Sequence, residues 1–319
     1  MSSGLRYHPC LEQRAVAEMF ADSLHGLLPL ESALARHCED AALWAELDGI
    51  GLFGIAREEA AGGAGLGAAE EALIAMELGR GLVSPSVLAT IGAAHAPPPA
   101  GSAPLAGVRV AAGWSHNAGV TLVHDAHASL LLLRGEDTAS VHELPALREA
   151  IDSELWHADL LASRAPGNEV ARLDAAGLTR LRLNDAAALA GIAALALEQA
   201  VAYAGERRQF GRPIGSFQAI KHHCANMAIA ARNARDQVGF ASVAVDQARA
   251  DAGFQVDCAL LVAADAALDN ASTNIQVHGG IGFSEEALPH LLLKRARLML
   301  AIAGGREPTL ARIAGARAA

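Results

Sequence analysis

The sequence predicts a mainly α-helical protein with a small β domain in its middle. Hydrophobic residues make up 52% of the 319 residues and aromatic residues only 4%. That balance, rich in alanine and leucine, packs as helices rather than as a β-sandwich. Apolar residues recur at helical spacing over residues 10–95 and again from Asn184 onward, whereas the stretch between them breaks into short strand-like runs. A chain of this length can bury a large core in two or three domains. The expected division is 1–96, 97–180 and 181–319: an N-terminal helical domain, a reduced β domain and a four-helix bundle.

The elements follow in order. LEQRAVAEMFADSLHGLL and CEDAALWAELDGIGLFGIA carry helical periodicity. After the glycines of AAGGAGLG comes AAEEALIAMELGRGL, a helix with a Gly stop. The glycine stretch follows no strand and lacks Lys-Ser or Lys-Thr, so it reads as an interhelix turn rather than a phosphate loop. HAPPPAGSAP, residues 95–104, marks a domain edge. GVRVAAGW, VTLVHDA and ASLLLLRG read as strands, and VARLD with TRLRLND closes the unit. From there AALAGIAALALEQAVAYAGERR is nearly all apolar, as expected of a helix buried on most sides. SFQAIKHHCANMAIAARNARDQVGFASVAVDQARA starts a second helix at a Ser N-cap. DCALLVAADAALDNASTNIQVHGG is a third, ending at a Gly pair. SEEALPHLLLKRARLMLA is a fourth, opened by Ser and two acids.

The net charge of -10 argues against a general attraction to nucleic acid. The expected setting is soluble and cytoplasmic, because no apolar run approaches bilayer-spanning length and MSSGLRYHPC lacks a signal core. Cys10, Cys38, Cys224 and Cys258 form no CxxC pair and read as reduced thiols in or near the core. His222, His223 and Cys224 are adjacent and point around a helix, which is poor geometry for one metal ion. No metal is expected.

The densest chemistry lies in ERRQFGRPIGSFQAIKHH, residues 206–223. Arg207 ends a helix, and a guanidinium matches a pyrophosphate through bidentate bonds. Phe210 offers a flat apolar surface. Gln218, expected one turn into the next helix, offers an amide. On spacing alone the same segment reads equally as a solvated helix cap with an aromatic staple. In QVHGGIGFSEE, Gln276 precedes Gly279 and Gly280, two glycines that let backbone approach a ligand closely. A glycine-terminated helix needs no more than this. His278 reads as packing, and Arg208, Arg212 and Lys221 as a solvated face.

Those two segments, with WAELDGIGLFGIA, GGAGLG and MELGRGL in the same order, closely resemble the acyl-CoA dehydrogenase family. The resemblance covers nearly the whole chain except its middle. It implies an α-domain, a β-barrel and a four-helix bundle. It also implies FAD as cofactor and removal of two hydrogens across the α,β carbons of an acyl-CoA thioester. It places Arg207, Gln209, Phe210, Gln218, Gln276, Gly279 and Gly280 against the ADP half of an FAD belonging to a neighbouring subunit.

The departures lie where family members hold their own flavin and their base. The Thr loop ending in Gly-Ser and the Trp-Ile-Thr/Ser strand are missing. Trp114 is followed by Ser-His-Asn and Trp156 by His-Ala-Asp. After KRARLMLAI, Gly304 stands where the resemblance implies a catalytic acid and Arg306 where it implies a Thr. Leu181 stands at the alternative base position, followed by a matching Arg182. Asp185, one turn along on the same face, is either a substitute base or an acid at a helix N-terminus. The catalytic residue is therefore left unassigned. The pattern resembles the heteromeric branch of the family, a dimer of heterodimers acting on steroid side-chain CoA thioesters. The implied partners are a second acyl-CoA dehydrogenase-like subunit, an acyl-CoA substrate and an electron-accepting protein. A self-sufficient homotetramer using Asp185 and a non-catalytic scaffold subunit are the alternatives.

Overall fold

The computed structural model describes residues 6–57, 59, 62–97, 105, 107–146, 148–151 and 158–316. Four helices come first: α1 (Leu11–Leu27), α2 (Ala41–Gly49), α3 (Ala68–Arg80) and α4 (Pro85–Ala93). Seven strands follow: β1 (Val110–His116), β2 (Gly119–Val123), β3 (Leu130–Arg134), β4 (Ala139–Glu143), β5 (Glu149–Ile151), β6 (Leu160–Ser163) and β7 (Glu169–Arg172). The chain returns to helix as α5 (Ala175–Glu206), α6 (Gln218–Asp246), α7 (Ala252–His278), α8 (Pro289–Ile302) and α9 (Arg306–Ala316). A hairpin, β8 (Arg208–Gln209) and β9 (Arg212–Pro213), separates α5 from α6. The order is the expected one of helical domain, small β domain and helical bundle.

Several local expectations are corrected. TRLRLND is helix: α5 starts at Ala175, where Asp174 accepts from Gly177 N at 2.8 Å as its N-cap. The helix therefore runs through the expected bundle boundary at residue 181, and Asn184 and Asp185 lie in its buried interior, not at its cap. Ser216 does not cap α6; its hydroxyl donates to Pro213 O, so Gln218 is the first residue of that helix. α8 opens at Pro289 rather than at the Ser-Glu-Glu turn. One part of α5 has a mean hydropathy of 1.5, long and apolar enough to cross a membrane, contrary to the sequence reading. Its alanines instead pack against neighbouring helices as the core of the bundle.

α5 is bound to the N-terminal helices by direct backbone approach. A Cβ on Gly79 of α3 would lie 2.0 Å from Ala188 O, and one on Gly191 of α5 would lie 2.0 Å from Met76 O. Only glycine on both sides lets the helices touch this closely. Flanking the crossing, Arg80 donates twice to Glu198, at 2.7 and 2.9 Å. Asp246, at the end of α6, accepts from Ala68 N and Ala69 N at 2.6 and 3.1 Å. It thereby caps α3, whose own N-cap is Gly67. Glu71 is fully buried and accepts from Asn184 at 2.6 Å and Arg180 Nε at 2.8 Å, with His95 Nε2 at 2.8 Å. Burial acts to raise its carboxyl, but the charges and bonds of His95, Arg180 and Asn184 win and hold it below its ordinary value.

The sheet order is β5-β6-β2-β1-β3-β4-β7, with β1 and β3 parallel and the other pairs antiparallel. Among the described residues β5 and β7 remain edges, so the sheet is open rather than a closed barrel. Side chains alternate: Val110, Ala112 and Leu132 face α4 and α8, while Ala111, Leu131 and Leu133 fill a second core. Burial of both faces explains the unbroken leucine run of β3. HAPPPAGSAP lies mostly, and Trp156 wholly, outside the described residues.

Gly79→Ala and Gly191→Ala should each lower unfolding free energy by about 3 kcal/mol in denaturant titrations. Gly205→Ala, on α5 where an added Cβ meets nothing within 4 Å, should be neutral or slightly stabilising. The lowered carboxyl of Glu71 contributes fully above the unfolded value of 4.5, and that contribution is lost as pH falls through the folded value. Glu71→Gln should therefore cost about 3 kcal/mol near neutral pH, and its deficit relative to wild type should shrink in titrations below pH 4.5.

Candidate functional site

α5 and α7 leave the bundle at the same end. Successive pairs join them: Asn270 donates to Ala193 O at 3.0 Å, Asn274 to Gln199 Oε1 at 3.0 Å, and the rings of Tyr203 and His278 stack at 4.1 Å. Just beyond the last pair the two chemistry-bearing turns emerge side by side. Arg207 is the C-cap of α5, its N–H donating to Tyr203 O. β8 and β9 then enclose a two-residue turn in which Phe210 and Gly211 have φ of 51° and 77°. Positive φ at both positions is the hairpin turn that matches strand twist. For a phenylalanine it is strained by about 1–2 kcal/mol.

Nothing buried compensates that strain. The Phe210 ring is 91% exposed, touching Phe217 edge-on at 6.2 Å. Arg207, Gln209, Gln218 and Gln276 are exposed, and none of their side chains makes a hydrogen bond or ion pair among the described residues. α6 has no side-chain cap, leaving the positive end of a long helix open beside them. On the α7 side, Gly279 has φ 64° and ψ -140°, a conformation suited to glycine. A Cβ on Gly279 or Gly280 would meet nothing within 4 Å, so the space over this backbone is free. Arg212 lies over the Phe217 ring at 4.2 Å, stiffening the turn. The arrangement is an exposed surface with donors that are unpaired among the described residues, including Arg207, and an exposed aromatic ring, Phe210. An anionic group carrying an aromatic base fits those surfaces.

The seam between sheet and bundle is the opposite kind of place. Leu181 stands at one of the two positions at which the sequence resemblance sets a catalytic base, and the other, Gly304, follows the end of α8. Leu181, with Met299 and Ile302 of α8, borders a cavity of about 20 Å³ that is also lined by Leu88, Leu132, Arg134 and Asp185. That is room for a single water. Leu181 fills it from one side, against Gly92, where an added Cβ would lie 2.4 Å from the leucine. Arg134 approaches Asp185 at 2.9 Å, both side chains being less than a tenth exposed. Burial pushes the Asp185 carboxyl up, against the opposing charge of Arg134. A second clamp closes the outer edge. Arg182 donates to Asp137 at 2.9 Å, and Arg312 holds Asp257 at 3.0 Å and Glu136 O at 3.4 Å, tying the β3–β4 turn to α5 and α9. Gly304 and Gly305 both have positive φ, and Arg306 pairs with Asp265 on the surface.

The other sequence candidates resolve plainly. His278 donates from Nδ1 to Asn274 O at 2.9 Å, and burial lowers its pKa. None of the four half-buried cysteines forms a disulfide among the described residues. Among the described residues no group of three or more His, Cys, Asp or Glu side chains could hold a metal ion. Two residues central to this geometry were not singled out from the sequence. Arg134 had a signal, a charge ending an all-apolar strand. Tyr203 had another, one of two tyrosines in the chain and one turn ahead of Arg207.

The comparisons with known proteins agree with this architecture. Residues 11–99 match the N-terminal domain of acyl-CoA dehydrogenase, and residues 171–318 match its C-terminal domain. The acyl-CoA dehydrogenase IpdE2 of Mycobacterium tuberculosis is 31% identical over 273 residues, 81% of this chain and 80% of IpdE2. FadE34, an acyl-CoA dehydrogenase of the same organism, is 35% identical over 305 residues, 85% of this chain but only 41% of FadE34. The solved Tcur3481-Tcur3483 steroid ACAD, a point variant, superposes with a TM-score of 0.71 at 25% identity, covering 96% of each chain. The chain belongs to the acyl-CoA dehydrogenase family, an oxidoreductase family whose members are FAD-dependent flavoproteins.

Removing one partner of the buried pair should be costly and removing both should not. Asp185→Leu should lower unfolding free energy by about 3 kcal/mol, since it strands the Arg134 charge. The double variant Arg134→Met/Asp185→Leu should return close to wild-type stability in the same denaturant titration.

Proposed function

We propose that this chain is a subunit of a heteromeric, FAD-dependent acyl-CoA dehydrogenase, gripping the ADP half of a dinucleotide whose reactive ring lies in a partner subunit. The observation that carries the reading is a contrast between two places. The cradle around Arg207 is open and its donors are unpaired among the described residues, while the seam beside Leu181 and Asp185 leaves only about 20 Å³. No acyl thioester fits that volume. Asp185 and Arg207 are also separated by about 33 Å along α5, at 1.5 Å per residue. A dinucleotide tail held at one is far from chemistry at the other.

Arg207 would pair with the pyrophosphate, helped by the open N-terminus of α6 and by Gln218. Phe210 would give its exposed ring to the adenosine half. Gln209 and Gln276 would donate amide bonds, and Gly279 and Gly280 would let backbone approach the ligand. FAD when bound supplies the acceptor for the hydride that leaves the β-carbon of the substrate. The proton on the α-carbon, acidified by the thioester, would be taken by a base of the partner. A dimer of heterodimers, a cytoplasmic setting, an electron-accepting protein and a role in lipid breakdown complete the proposal. A bulky steroid side-chain CoA thioester is the substrate class, supported by likeness to a protein described as a steroid ACAD.

Co-expression with a neighbouring dehydrogenase-like reading frame tests the reading through flavin content and subunit ratio. The expected result is one FAD per heterodimer, with Arg207→Ala weakening FAD binding by about tenfold or more. One FAD per chain would contradict it. A yellow, active protein made from this chain alone and inactivated by Asp185→Asn would establish the self-sufficient alternative. Flavin content untouched by Arg207→Ala would point to a scaffold.

A further inference from the structure

The cradle is made of two turns that follow different helices. Residues 207–217 follow α5, and residues 276–283 follow and end α7. Among the described residues no hydrogen bond joins one turn to the other. Beside them, α5 and α7 are joined by the stack of Tyr203 on His278, with ring centroids 4.1 Å apart and planes at 22°.

Each ring is tied closely to one side of the cradle. Tyr203 O accepts the N–H of Arg207, so the tyrosine and the arginine share one turn of backbone. His278 immediately precedes Gly279 and is fixed on its own side by donation to Asn274 O. Because a carbonyl only accepts, Nδ1 carries the proton and Nε2 is the free nitrogen. The histidine stays close to the turn as well: a Cβ on Gly282 would lie 3.1 Å from His278 Cβ and 2.6 Å from Ile275 O. The turn is thus folded back onto the residue that stacks on Tyr203.

We infer that Tyr203 and His278 are positioning residues for dinucleotide binding, setting the gap between the Arg207 turn and the Gln276–Gly280 turn through their shared stack. The inference rests on the proposed function of the cradle. The rings need not touch the ligand. They fix the distance between a cation on one turn and free backbone on the other, and both must meet the same ligand at once. Loss of the stack leaves every cradle residue present but unregistered, and affinity falls through geometry rather than through lost contacts.

The experiment is a titration of the flavin-free assembled protein with FAD, read by flavin fluorescence, alongside thermal unfolding. Tyr203→Leu and His278→Gln should each weaken FAD binding by about tenfold, the upper range for one aromatic pair. Tyr203→Phe and His278→Phe keep two stacked rings and should bind within about twofold of wild type. The double variant Tyr203→Leu/His278→Gln should bind no worse than either single one, because both remove the same stack. Arg207→Ala serves as the separate check on the site. If Arg207→Ala leaves FAD affinity unchanged, the reading of the cradle fails. If Arg207→Ala weakens binding while Tyr203→Leu and His278→Gln alter only the unfolding temperature, the stack is merely structural and the inference alone is overturned. Should Tyr203→Leu fail to fold, the comparison of His278→Gln with His278→Phe decides the same question.

Discussion

Two glycines set the frame on which everything else hangs. Gly79 and Gly191 let α3 and α5 meet backbone to backbone, and that contact fuses the N-terminal helices to the bundle. α5 is thereby held along its length like a beam. Its first half passes under the sheet and carries Leu181 and Asp185 into the seam. Its far end leaves the bundle at Arg207 and carries the hairpin into solvent. The two places where a family member would do chemistry and grip nucleotide are therefore opposite ends of one rigid element.

The two ends treat the same kind of side chain in opposite ways. At the seam, Arg134 is buried against Asp185 and surrounded by leucine, methionine and isoleucine. Its charge is spent inside the protein, where desolvation is costly and the gain from pairing is modest. At the cradle, Arg207 is solvated and, among the described residues, unpaired, with strained Phe210 beside it. A strained backbone beside exposed donors concentrates at one surface the features that the proposed nucleotide contact would use. Closure at one end and readiness at the other follow from local side chains, not from any difference in fold.

The fold was largely legible because alanine-rich periodicity and glycine stops are local signals. The α3 helix and the glycine end of α7 could be read directly. TRLRLND misled because arginines alternating with apolar residues mimic a strand, while the Asp174 cap that starts the helix lies upstream. α4 gave no amphipathic signal, since every one of its residues is buried. The cradle residues were readable as a set because they sit in two compact motifs. Their convergence was not, since it depends on α5 and α7 running in the same direction. The seam was half legible: the missing acid at Gly304 and the leucine at 181 could be seen, but Arg134 arrives from a strand distant in sequence. The open sheet depends on pairings between strands that no local pattern encodes.

The central claim is that this polypeptide holds the tail of a cofactor and not its reactive ring. The most direct measurement is a cryo-EM or crystal structure of the assembled protein with FAD bound. The account predicts adenine and phosphates against Arg207, Phe210 and Gly279 of this chain, with the isoalloxazine seated in a different polypeptide and the Arg134–Asp185 seam still shut. An isoalloxazine lying in that seam, beside Asp185 of the same chain, would contradict it.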